Sequence, residues 1–137
     1  MKEVNKFLLE DVLSPLIGGA DMDEYSHLWY VDSDNELVIK DIIKEFFLPY
    51  FQALNDAYHS KLKLSFAYYL KNNSKVDFER IIDSHLLPFA PPSPAINFFK
   101  WMWEVFFPGE DIFSISLDDV VERNDQYESL RLFNRSK

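Results

Sequence analysis

The sequence predicts a mainly α-helical fold, one compact domain of five or six helices, with room for a single small β element. Three observations lead there. Apolar residues recur at three- and four-residue spacing over long stretches. Only three glycines are present, too few for a loop-rich or barrel fold. The segment Ser93–Gly109 holds nine apolar side chains between a helix-start and a helix-stop signal.

That segment is the expected centre. Ser93 and Pro94 read as cap and first helical residue, and Pro108 and Gly109 as the stop. Between them, Asn97, Lys100 and Glu104 form one narrow polar stripe on a helix that is otherwise apolar. Such a helix, spanning 94–107, must be buried in a core or against a partner. It is too short for a bilayer, which needs about 20 residues.

From the start of the chain, residues 2–13 read as a short amphipathic helix ended by Ser14-Pro15. Gly18-Gly19 makes a bend and Asp21–Glu24 an acidic loop. His27–Val31 is short, aromatic and strand-like, and the alternating Ile112–Ser116 is its expected partner. Helical spacing runs from Ile39 to Tyr58, with a kink or boundary expected before Pro49. Residues 61–70 fit both periods, but no turn residue separates them from the preceding helix, so helix is expected to about Leu70. Ser74 or Asp77 caps a further helix near 75–87, with Phe78, Ile81, Ile82 and Leu86 inward. Pro88–Pro94 holds four of the seven prolines and reads as a rigid crossover within a single domain, 1–137. Ser116 is expected to cap a helix from Leu117 to about Arg123, and Leu130, Leu132 and Phe133 to dock the tail.

Composition narrows the function classes. There is no cysteine, which removes disulfides, thiolate catalysis and Cys-based zinc sites. No signal-peptide core or transmembrane run is present, so the expected location is cytoplasmic. Net charge is −9 and uneven: −7 over residues 1–36, +1 over 37–87, −6 over 88–128 and +3 over the last nine. A surface of this sign disfavours direct nucleic-acid binding and attracts basic partners.

Few constellations suggest chemistry. Asp32-x-Asp34-x-Glu36 has the opening spacing of a calcium loop, but Leu37 stands where its glycine belongs and Ile43 where its last acid belongs. His27, His59 and His85 have no ligand spacing, so no metal is expected. No phosphate-cradling or dinucleotide glycine motif occurs, so no cofactor is expected. Arg80 and His85 have the R-x4-H spacing of the HEPN family of α-helical ribonucleases, which that resemblance implies as a phosphate holder and a general acid/base. The family prefers a polar residue after the Arg, where Ile81 stands here.

The stronger signal is a pair of acidic zones. One carries Asp21, Asp23, Glu24, Asp32, Asp34 and Glu36 with Tyr25, Trp29 and Tyr30 interleaved; the other carries Glu110, Asp111, Asp118, Asp119, Glu122, Asp125 and Glu128. In size, charge, lack of cysteine and lack of a catalytic motif the chain resembles the small acidic cytoplasmic immunity proteins of bacterial toxin systems, including contact-dependent inhibition. The resemblance implies a non-catalytic binding protein. Its partner would be a cognate basic toxin, typically a nuclease, occluded by tight contact. The expected contact residues are Asp21, Asp23, Glu24, Tyr25, Trp29, Asp32, Asp34 and Glu36. A third reading makes the 94–107 helix an interface for a small ligand or for self-assembly.

Overall fold

The computed structural model describes residues 2–128. In chain order its elements are β1 (Lys2–Val4), α1 (Phe7–Asp11), α2 (Glu36–Ile42), α3 (Leu48–Gln52), α4 (Asp56–Lys71), α5 (Phe78–Ser84), α6 (Ile96–Phe106) and β2 (Val120–Glu122), with short 3₁₀ turns between them. The fold is mainly helical around an aromatic core, as expected.

α4 and α6 build that core. Asn55 caps α4, its side-chain oxygen accepting the Tyr58 N–H at 2.8 Å. Tyr58, Leu62, Ser65, Phe66 and Tyr69 then recur on one buried face. α6 answers with buried Phe98, Phe99, Met102, Trp103 and Phe106. Phe66 lies between Phe99 and Phe106, at centroid distances of 6.2 and 6.4 Å, and Phe51 of α3 stacks on Phe106 at 4.3 Å. Each such pair contributes about 0.5–1.5 kcal/mol beyond its burial. α6 starts at Ile96, without the expected Ser93 cap. The Ser93–Pro94 peptide is cis, and the Ser93 N–H donates instead to Asp34 Oδ1 at 2.8 Å. Glu104 pairs with Lys40 of α2 at 2.9 Å.

The helix expected from Ile39 starts earlier, at Glu36, because Asn35 caps it. It passes Pro49 through a π-helical turn at Ile43–Phe47, a widened turn directly before α3. Proline lacks an N–H and crowds the preceding carbonyl, and the wider turn accommodates both. α4 runs through Leu70 as expected. α5 is capped by Asp77. It ends sooner than expected, and Leu86, expected inward, is 53% exposed with φ 51°. Leu87, Pro88, Phe89 and Pro92 of the proline-rich crossover are buried, with Phe89 5.7 Å from Phe98.

Three local expectations are corrected. Residues 2–4 are a strand rather than the start of a helix, because the buried Asn5 intervenes: its side-chain oxygen accepts the Phe7 N–H, so α1 begins only there. Residues 117–123 are not helical; Val120–Glu122 pairs in parallel with β1, Lys2 opposite Val120 and Val4 opposite Glu122. The β-branched Val120 and Val121 favour this pairing. His27–Val31 and Ile112–Ser116 form no strand pair. Asp23–Leu28 and Ile112–Ser114 are 3₁₀ turns, the latter capped by Asp111 onto the Phe113 N–H at 2.9 Å. The expected docking of Leu130, Leu132 and Phe133 lies outside the described residues.

Candidate functional site

Five of the expected contact residues, from Asp21 to Trp29, lie on a segment pinned to the end of α5; Asp32 and Asp34 lie in the turn before α2, and Glu36 is its first residue. Gly18 takes a left-handed φ of 78°, its N–H donates to His85 O at 2.9 Å, and the Ala20 N–H donates to Leu86 O at 2.9 Å. Gly19 allows the close approach: a Cβ there would stand 2.8 Å from the Pro88 ring. Asp21, Asp23 and Glu24 follow on this fixed backbone and are exposed. Leu28 is buried and anchors the far end of the turn.

The eight residues do not share one role. Tyr25 is half-buried and meets Phe46 edge-on at 5.8 Å, so it holds the segment to the π-helical turn between α2 and α3 rather than standing free. The Trp29 indole N–H reaches Gly19 O at 3.5 Å, and the ring stays 36% exposed. Asp32 accepts the Asp34 N–H at 3.1 Å and closes a turn. Asp34 ties this turn to Ser93, and Glu36 pairs with Lys40 at 2.7 Å. Hydrogen bonds to Glu36, then to Glu104, push the Lys40 ammonium above its usual range. Asp21, Asp23 and Glu24 have no ion pair among the described residues.

The second acidic zone is different. Glu110 pairs with Lys63 at 2.5 Å, Glu122 with Lys75 at 3.0 Å and Glu128 with Lys61. These three acids clasp the C-terminal segment to the lysines of α4 and the turn after it. The Lys75 ammonium, then the Tyr69 hydroxyl, hold the Glu122 carboxyl below its usual range. Arg123 does the same for Glu3 across the sheet, at 3.0 Å.

Apolar side chains outside the expected set stand beside the first zone. Ile17 is 46% exposed and Met22 40%, on the segment whose backbone bonds His85 and the exposed Leu86. Met22, between Asp21 and Asp23, is readable from sequence as an apolar residue in an acidic loop. Leu86 is not, because helical spacing placed it inward.

The other constellations are pulled apart or engaged. Arg80 lines a surface depression with Asp77, Glu79, Asp83 and Ser84, whereas His85 lines another with Glu10, Asp11 and Ser14. His85 Nδ1 donates to Ile81 O at 2.6 Å and Nε2 lies 3.7 Å from Glu10. No group of three acidic or histidine side chains among the described residues is arranged to hold a metal ion. Asp11 accepts from the hydroxyls of Tyr50 and Tyr58, and burial, followed by the Asp11 charge, pushes both phenols far up. No described helix is long and apolar enough to cross a membrane. No family model matches the chain, and no match is found among curated proteins or solved structures.

Proposed function

We propose that this chain is a non-catalytic cytoplasmic binding protein that occludes a basic protein partner, in the manner of a small acidic immunity protein neutralising a toxin such as a nuclease. The observation that carries the reading is the difference between the two acidic zones. Three of the C-terminal acids, Glu128, Glu110 and Glu122, pair with Lys61, Lys63 and Lys75, and their charge holds the chain together. Asp21, Asp23 and Glu24 lack such partners among the described residues and sit on a backbone fixed to α5. Uncompensated charge on a rigid platform speeds encounter with an oppositely charged surface. Trp29 and Met22, partly exposed among these acids, supply apolar contact that slows release.

The buried face of α6 favours this reading over the third. Phe98, Phe99 and Met102 are enclosed by the core, and Trp103 and Phe106 show only their edges in surface depressions, which leaves this face little to offer a ligand or a second copy.

The test is kinetic. Reversing Asp21, Asp23 and Glu24 to Lys lowers the association rate with the basic partner and flattens its salt dependence, while thermal stability holds because no described ion pair is lost. An unchanged association rate overturns the assignment.

A further inference from the structure

We propose that Leu86 is the apolar anchor of this surface, and that the partner is a basic protein offering an apolar notch between lysine or arginine side chains. The proposal rests on the reading above and extends it to a residue outside the acidic segment.

Leu86 occupies the position after the α5 C-cap residue, His85, in left-handed backbone at φ 51°. Helices commonly place glycine there, because a Cβ is penalised in that region. A branched side chain in such a conformation, with 53% of its surface in water, adds nothing to the core. Strained backbone held by its surroundings is a feature of binding sites.

The surroundings hold it firmly. The Leu86 N–H donates to Asp83 O at 3.3 Å, and its carbonyl accepts from Ala20 at 2.9 Å. The next residues, Leu87 and Pro88, are buried, so the chain that follows is fixed as well. The side chain therefore projects from a rigid base and loses little freedom on docking.

The segment hydrogen-bonded to Leu86 carries further exposed apolar side chains. Ile17 directly precedes Gly18, which is hydrogen-bonded to His85, and the Trp29 indole rests on Gly19. Exposed acids flank the contact in both segments: Asp21 follows Ala20, whose N–H bonds Leu86, with Asp23 and Glu24 after it, and Asp83 accepts the Leu86 N–H. An apolar centre within an acidic rim matches a notch flanked by cations. The rim steers the approach and the centre excludes water.

The experiment places a photo-reactive amino acid at position 86 in the full chain within the source cells, and in parallel at position 113, where Phe113 is 79% exposed on the C-terminal segment. One basic protein is expected to crosslink from 86 and not from 113. That protein, purified, is then bound to wild type, Leu86→Gly and Leu86→Asn. Both substitutions suit left-handed backbone, so both variants fold with a melting temperature at or above wild type. Each is expected to raise the dissociation rate about ten- to hundredfold with little change in association.

Three results overturn the proposal. If the basic protein binds and the Asp21/Asp23/Glu24 reversals slow it, but Leu86→Gly leaves dissociation unchanged, the anchor fails and the functional reading stands. If position 86 captures a second copy of this chain, the surface is a homomeric interface. If no basic protein is captured from either position, the anchor and the functional reading fall together.

Discussion

The backbone N–H of Asn5 donates to the Ser65 hydroxyl at 3.0 Å, joining the two buried polar residues found among the described residues. The contact fastens the link between β1 and α1 to the middle of α4. The Asn5 amide then reaches the C-terminal segment, donating to Asp125 O at 2.8 Å and to Glu128 Oε1 at 2.7 Å. One residue thereby ties together the start of the chain, the longest described helix and the strand-bearing segment.

Replacing Ser65 with Ala leaves the Asn5 N–H buried without its acceptor. An orphaned buried donor costs about 1–3 kcal/mol. Urea unfolding should show a loss of that size for Ser65→Ala. A larger loss is expected for Asn5→Ala, which removes four side-chain hydrogen bonds. A neutral Ser65→Ala would mean that the N–H finds water.

Acid should loosen the sheet. Glu3 and Glu122 are both held below the ordinary carboxylate value of 4.5 by their cationic partners. A folded-state pKa below the unfolded one gives stability that is present above the unfolded value and lost as pH falls through the folded one. Thermal stability should therefore drop below pH 4.5, and Glu122→Gln should flatten that part of the profile. These pairs are exposed, so the effect is modest and weakened by salt. An unaltered acid limb in the variant would remove Glu122 as its source.

Alkali should act through the tyrosines. Burial is the leading cause that raises the Tyr50, Tyr58 and Tyr69 phenols. A raised folded-state pKa gives stability that is full below the unfolded value, near 10.0, and lost as pH rises toward the folded one. The three phenols should stay un-ionised through that pH in the folded protein, and ionise together with unfolding above it. Absorbance at the phenolate band, followed alongside circular dichroism, checks this. Ionisation of Tyr58 ahead of unfolding would contradict it.

The elements legible in the sequence are those whose order is local. The α4 and α6 faces follow from three- and four-residue apolar spacing, and the Asp77 cap from its position. What the sequence hid depends on distant partners. β1 and β2 are three residues each and lie more than a hundred residues apart, so neither forms without the other. Asn5 breaks the expected first helix because Ser65, Asp125 and Glu128 engage it. Charge is legible for the six acids of the expected contact set and aromatic character for Tyr25 and Trp29, whereas the packing of Tyr25 on Phe46 and the Asp34–Ser93 bond are not. Leu86 was misplaced for a physical reason: the helix ends two residues before it, and a left-handed turn rotates it outward.

The free charge of the first acidic zone is tested most directly by using wild type and the Asp21→Lys, Asp23→Lys, Glu24→Lys variant side by side to capture proteins from the source lysate at low salt, with elution in rising salt. Wild type is expected to retain one stoichiometric basic protein beyond moderate salt, and the variant to lose it early. Equal retention by the two, or a smear of basic proteins leaving both at modest salt, would contradict a specific docking role for these acids.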